Sequence, residues 1–176
     1  SDEVKDDAME TISALMDRGI TPWLVTGDNK ESANHIASLV GIPASHVIAN
    51  TLPQEKLKVV EDFKAQGNTV LMIGDGINDA AALSAADLSI AMGTGTDSAI
   101  GSADITLMRP GLMGVVGALK LATRTLKTIK VNLGWAFAYN VIGIPIAIAG
   151  ALTPMYAAAA MAVSSLLVVA NSLRIR

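Results

Sequence analysis

The sequence predicts an α/β domain built on a parallel sheet, followed by a hairpin of two membrane-spanning helices. Three observations lead there. Of 176 residues, 51% are hydrophobic and 3% aromatic, more apolar than an ordinary soluble domain. All sixteen Asp and Glu fall at or before Asp104, against six Lys and Arg, a balance of −10, while the seven basic residues beyond that point give +7. From Val131 to Leu173 there is no charged residue at all, a run of 43 positions. The overall charge of −3 therefore describes neither part, and a basic nucleic-acid-binding surface across the chain is excluded. The aliphatic content likewise excludes disorder. With no cysteine, the sequence carries no disulfide framework and no thiolate metal site. It opens on Ser, with no signal-peptide pattern before its acidic start, and reads as a fragment of a longer protein.

The elements follow in order from hydrophobic spacing. Val4, Ala8, Ile12, Leu15 and Met16 recur at helical intervals and stop at Gly19, and Ile20 to Val25 reads as a short strand despite Pro22. A helix is expected from Lys30 to Val40, with Ala33, Ile36, Ala37 and Val40 inward and Gly41 as its stop. Val47 to Ala49 is a weak strand. Pro53 suits a first helical turn ahead of Leu57, Val60 and Phe63. Thr69 to Ile73 reads as the clearest buried strand, followed by a Gly-rich turn and an Ala-rich helix near Asn78 to Ala85. Strands at Leu88 to Met92 and Ile105 to Met108 complete an alternation that implies one parallel sheet flanked by helices.

Beyond residue 110, a helix from Gly111 to Lys130 with basic residues at three- or four-residue spacing is expected to run on into the membrane. Two apolar segments, Val131 to Ala151 and Pro154 to Leu173, are each long enough to cross ~30 Å of hydrocarbon. Lys120, Arg124, Lys127 and Lys130 precede the first, and Arg174 and Arg176 follow the second, so both outer ends are expected in the cytoplasm.

Ligands of open parallel sheets bind beyond the carboxyl ends of the strands, and two acidic loops fall there. One is Thr26-Gly27-Asp28; the other is Gly74-Asp75-Gly76-Ile77-Asn78-Asp79. Asp75 and Asp79, four apart across a glycine turn, are able to converge on a hard cation such as Mg²⁺. The glycines let backbone N–H groups approach a phosphate, and the Thr26 hydroxyl suits the same oxygen. Lys56 supplies a compact positive charge to neutralise a phosphoryl group. Taken singly, Thr-Gly-Asp is a common turn and a lysine at a helix start is usually a solvated charge. Gly-Asp-Gly-x-Asn-Asp is more specific, because three polar groups and two glycines directly after a buried strand are poor for stability. His35 and His46 lack acidic or histidine partners at ligand spacing and read as surface residues.

Thr26-Gly27-Asp28, Pro53-x-x-Lys56 and Gly74-Asp75-Gly76-Ile77-Asn78-Asp79-Ala80-Ala81-Ala82-Leu83 together resemble the phosphorylation domain of P-type ATPases. These pumps have a haloacid-dehalogenase-like (Rossmann-like) fold. The resemblance implies that Asp75 holds Mg²⁺ with Asp79 in support, that Asn78 and Thr26 contact the phosphoryl group, that Lys56 stabilises its charge, and that Asp28 positions the loop. It also implies residues 1–110 as a partial phosphorylation domain, 111–130 as a linking helix, and spans at 131–151 and 154–173. One departure matters: the family phosphorylates an Asp within Asp-Lys-Thr-Gly-Thr, which is absent here, so this chain alone is expected not to turn over ATP.

The two spans carry few polar residues, and such residues are functional candidates by default. Tyr139 and Asn140 lie roughly 12–14 Å into the first span at the helical rise. In the second, Met161 and Ser165 share a face, with Ser164 beside them. Folding the hairpin brings both sets level near mid-membrane. Close packing explains small residues and Met in such helices. Yet a thioether with neutral oxygens and no carboxylate suits Cu(I) better than Zn²⁺, Ca²⁺ or Mg²⁺. Tyr139-Asn140 and Met161-Ala162-Val163-Ser164-Ser165 are similar to signatures of the copper(I)-transporting heavy-metal P-type ATPases, whereas pumps for Zn²⁺ or Cd²⁺ carry a Lys and an acidic residue in these helices. The resemblance implies a monomeric pump that uses ATP through a nucleotide-binding domain outside this chain, sits in the lipid bilayer, exports Cu⁺ and receives it from a copper chaperone. It places a Cys-Pro-Cys motif elsewhere in the protein. Alternatives are a pump for Ag⁺ or another transition metal, a membrane-anchored phosphatase of the same superfamily, and a split chain completed by a partner.

Overall fold

The structure is a computed structural model, and it describes residues 4–74, 77–93, 97–108, 111–150 and 153–174. The chain divides into two compact units, one through Gly117 and one from Ala118.

The first unit begins with α1 (Ala8–Met16), whose following turn closes at Gly19 with φ +76°. β1 (Leu24–Val25) is shorter than the expected Ile20–Val25, because Pro22 has no N–H to offer a ladder. α2 (Lys30–Val40) has the expected bounds: Asn29 Oδ1 accepts from Ser32 N at 2.9 Å, and Gly41 ends the helix at φ +82°. β2 (Val47–Ile48) pairs in parallel with β1, Leu24 opposite Val47. α3 (Pro53–Ala65) starts on proline, and Glu55 Oε2 accepts from Leu52 N at 2.7 Å, half of a capping box.

β3 (Leu71–Gly74), β4 (Leu88–Met92) and β5 (Ile105–Leu107) form a second parallel sheet in that order. Between them lie a 3₁₀ turn (Ile77–Asp79), α4 (Ala80–Ala85) and α5 (Asp97–Ser102), the last not foreseen from the sequence. Two corrections emerge. The strands form two sheets rather than one, since no described strand bridges β1 or β2 to β3. The most buried strand is the central one, β4, and not the strand after Thr69, because β3 has only one neighbour.

Polar side chains tie this unit together over long sequence separations. Ser89 N and Oγ each donate to Asp104 Oδ2 at 2.8 Å, and these bonds hold the Asp104 carboxyl below its usual range. Asp87, held low chiefly by the Val70 N–H and next by Lys64, fastens the start of β3 to that of β4. An apolar core of Ala8, Ala37, Val40 and Ile42 joins α1 to α2, with Ile12, Leu24, Val47 and Leu112 packed around it.

α6 (Met113–Ile148) is one unbroken helix of 36 residues, about 54 Å long. It stops three residues before the expected Ala151, where Gly150 takes φ +70°. α7 (Pro154–Ser172) follows, starting on proline. Among the described residues one helix, α6, is both long and apolar enough to cross a membrane, and Ala158–Ser172 is a shorter apolar stretch. Large apolar side chains stand exposed along both helices, Trp135 at 70% and Leu166 at 69% among them, as suits lipid or neighbouring apolar helices better than water.

Candidate functional site

β3 ends at Gly74, and the turn that follows delivers Asp79 back beside it. A Cβ on Gly74 would stand 2.8 Å from Asp79 Cβ and 2.9 Å from Oδ2, so only glycine lets the aspartate fold this close. Asp79 is 8% exposed, and its Oδ1 accepts from Lys56 Nζ at 2.7 Å. The lysine sits in the first turn of α3, where the helix dipole disfavours a cation, and the carboxylate 23 positions later supplies the compensation. With both side chains largely buried, the pair costs desolvation and is held by geometry.

At the end of β1, the Thr26 hydroxyl donates to Asp28 Oδ2 at 2.9 Å and accepts from Asp28 N at 3.1 Å. The segment after β2 stitches this loop in place. Thr26 N donates to Ile48 O, Thr51 N to Thr26 O and Asn50 N to Asp28 O, at 3.0, 3.0 and 2.8 Å. Asn50 reaches its position at φ +54°, which asparagine tolerates better than most residues. Thr51 is buried. The sequence reading missed both; an Asn-Thr pair closing a strand next to a glycine loop was their one signal.

The structure thus brings Lys56 to Asp79 and Thr26 to Asp28. Asn78 is exposed on the turn between β3 and α4. Asp75 lies outside the described residues. Among those described, no group of three His, Cys, Asp or Glu side chains could hold a metal ion. His46 is not the free surface residue expected: it stacks on Trp23 with ring centroids 4.6 Å apart, and its Nδ1 is buried without a partner. Trp23 also meets Phe63 at 4.9 Å. Trp23 and His46 lie just before β1 and β2, the opposite strand ends from the polar loops.

In the second unit, Asn140 Nδ2 donates to Ala136 O and Ser165 Oγ to Met161 O, each at 3.0 Å and each one turn back along its own helix. No hydrogen bond joins these two residues to each other among those described. The Ser165 hydroxyl proton and one of the two Asn140 amide protons are used on backbone, and the side-chain oxygens keep their lone pairs. Met161 is 67% exposed, Asn140 and Ser165 are exposed, and Tyr139 and Ser164 are half-buried. Pro145, which the sequence reading did not single out, offers no N–H to the Val141 carbonyl one residue beyond Asn140. The cross-helix bonds lie further along: Asn171 Nδ2 donates to Asn132 Oδ1 at 2.7 Å, and Asn132 Nδ2 to Ser172 Oγ at 3.0 Å.

Known proteins resemble the chain along its whole length. Residues 1–87 match the haloacid dehalogenase-like hydrolases, and residues 56–119 match a second group of the same description. A copper-exporting P-type ATPase of Mycobacterium tuberculosis is 53% identical over 176 residues, all of this chain and 23% of that protein. Cation-transporting P-type ATPase B of Mycobacterium leprae is 53% identical over 175 residues, 99% of this chain and again 23% of the relative. The chain therefore spans about a quarter of the length of these relatives. A crystal structure of a zinc-transporting PIB-type ATPase in the E2.Pi state superposes with TM-score 0.92 at 36% identity, covering 99% of this chain and 28% of the other. The catalytic domain of the CPx-ATPase CopB-B matches at TM-score 0.63 and 34% identity, over 68% of this chain and 47% of that one.

Proposed function

The chain belongs to the P-type ATPases, on a haloacid dehalogenase-like fold, and from that premise we propose that it forms part of an ATP-driven copper(I) exporter. The observation that carries the phosphoryl chemistry is the Lys56–Asp79 pair seated against Gly74 at the carboxyl end of β3. Phosphoryl transfer spreads negative charge over the transferred group, and catalysis rests on positioning and on fixed positive charge. Lys56 has three N–H donors; one is anchored on Asp79 and two remain for phosphoryl oxygens. The single Thr26 hydroxyl proton is held on Asp28 Oδ2 and turns to a third oxygen when the phosphoryl group binds, and Asn78 approaches from the turn between β3 and α4.

Mg²⁺ fits this donor set. Carboxylates are hard oxygen ligands, and the close approach that Gly74 permits brings the Asp79 carboxylate to the end of β3. Asp75 would hold the ion with Asp79 in support; when bound, it neutralises charge on the phosphoryl oxygens. In the complete pump an aspartate oxygen attacks the γ-phosphorus of ATP, ADP departs, and water later cleaves the acyl phosphate. The acceptor belongs to an Asp-Lys-Thr-Gly-Thr sequence, which does not occur in these 176 residues. On this reading the chain by itself is inactive.

The hairpin supplies the ion ligands. Met161 gives a thioether, and Tyr139, Asn140, Ser164 and Ser165 give neutral oxygens in spans without a charged residue, a set that suits a soft monovalent ion. The basic residues flanking both spans set the outer ends in the cytoplasm. Relatives named as copper exporters support this choice of cargo, while the zinc-transporting structure names the competitor. Ion-stimulated ATPase of the full-length pump decides: stimulation by Cu⁺ is expected, and stimulation by Zn²⁺ but not Cu⁺ overturns the copper assignment. Asp75→Ala is expected to abolish phosphoenzyme formation from labelled ATP. Normal labelling of that variant would overturn the phosphoryl-transfer reading.

A further inference from the structure

Asp7 occupies the N-cap position of α1, where an aspartate ordinarily accepts from the first turn of its own helix, yet it makes no side-chain cap bond there. Its carboxylate is used elsewhere. Asp7 Oδ2 accepts from Met113 N, the first residue of α6, at 2.8 Å and 106 positions away. The Met113 N–H, followed by that of Leu112, holds the Asp7 carboxyl below the usual range. Gly111, at φ +123°, leaves the room for this contact, since a Cβ on it would stand 2.8 Å from Asp7 Oδ2. Thr11 fixes the other side of Asp7, donating to its carbonyl through both N and Oγ1, at 2.9 and 2.8 Å. Leu112 packs on the core of Ala8, Ala37, Val40 and Ile42, and Val115 and Val116 are fully buried.

Among the described helices, α6 is thus the one that starts inside the phosphoryl-handling unit and also carries Tyr139 and Asn140. We propose that the Asp7 cap on Met113, seated over Gly111, is a positioning device of the pump that couples the phosphoryl-handling unit to the ion-binding helix α6. A local helix cap would serve α1 alone. This one ties the beginning of the first unit to the helix that leaves it, so any rearrangement of that unit acts on α6 at its end. The inference rests on the pump assignment but on neither the cargo nor the phosphorylated residue.

The test uses the full-length pump in sealed vesicles and compares two quantities, phosphoenzyme formed from labelled ATP and ions transported per phosphate released. In Asp7→Ala, phosphoenzyme is expected to stay within about twofold of the parent while the transport ratio falls about five- to tenfold, the scale of a lost helix cap. Asp7→Asn keeps an oxygen acceptor for the Met113 N–H and is expected to restore most of the ratio. An unchanged ratio in Asp7→Ala overturns the proposal, and so does a parallel loss of phosphoenzyme and transport, which a purely structural role would produce. If Asp7→Ala does not fold, Gly111→Ala, which pushes on the same carboxylate, is measured instead, with the same two outcomes deciding. The parent pump's choice between Cu⁺ and Zn²⁺ is read separately, and the ratio is taken for whichever ion it carries, so failure of the copper reading leaves this test standing.

Discussion

The unit that ends at Gly117 and the one that begins at Ala118 use polar side chains differently. In the first, Lys56 reaches Asp79, Ser89 reaches Asp104 and Asp7 reaches Met113, and each bond joins elements distant in sequence. In the second, the mid-span polar residues Asn140 and Ser165 turn one helical turn back along their own backbone. The difference teaches where each function is completed. Buried charged groups in the first unit must be paired or they lose solvation without return, so the fold itself fixes the Lys56–Asp79 geometry. Neutral donors in an apolar helix are satisfied locally, on the carbonyl one turn back.

The largest expected effect breaks the first region without touching the second. Lys56→Met removes the cation and leaves Asp79 buried without its partner; phosphoenzyme formation in the full-length pump is expected to fall by roughly 10²–10³-fold. Cu⁺ affinity, read by equilibrium binding, is expected to hold. A variant that keeps phosphorylation but loses Cu⁺ would reverse the division of labour drawn here.

The second effect comes from the opposite side. Asn140→Ala and Met161→Ala each remove one neutral ligand and are expected to weaken Cu⁺ binding by about tenfold, a loss of ~1.4 kcal/mol typical of a single polar contact to a charged group. Phosphoenzyme formed backwards from inorganic phosphate should remain. Unchanged Cu⁺ affinity in both variants would return these residues to ordinary helix packing.

Much of the fold was legible because local signals agreed. Gly41 was readable as the stop of α2, and Pro53 marked the start of α3. α5 was not readable, since Asp97–Ser102 is short and rich in small residues with no apolar stripe. The division into two sheets was hidden because strand neighbours depend on tertiary pairing, which periodicity does not encode. Of the candidate site, Lys56 and Asp79 were legible as a pattern of residue types in order, but their ion pair across 23 positions was not. The same holds more strongly for Asp7. Nothing in the sequence says that its side chain serves a helix that begins 106 positions later.

The smallest effect tests the contrast most sharply, because the hairpin does have cross-helix bonds, those of Asn132 with Asn171 and Ser172. If they act like the clasps of the first unit, a double-mutant cycle of Asn132→Ala and Asn171→Ala in the solubilised full-length pump should show strong coupling in thermal stability. We expect only about 0.6 kcal/mol, and no more than ~1.7, as for polar contacts between membrane helices generally. The reason is visible in Asn140, whose amide is satisfied by the Ala136 carbonyl four residues back. Asn171, deprived of Asn132, has the carbonyl of Leu167 at the same spacing, so the lost bond is largely replaced. Coupling well above that range would mean that the hairpin is locked by a polar clasp, and the distinction between the two units would fall. Coupling near zero would leave packing alone to hold α6 against α7, and would place the hairpin's register under the control of the apolar side chains between its helices.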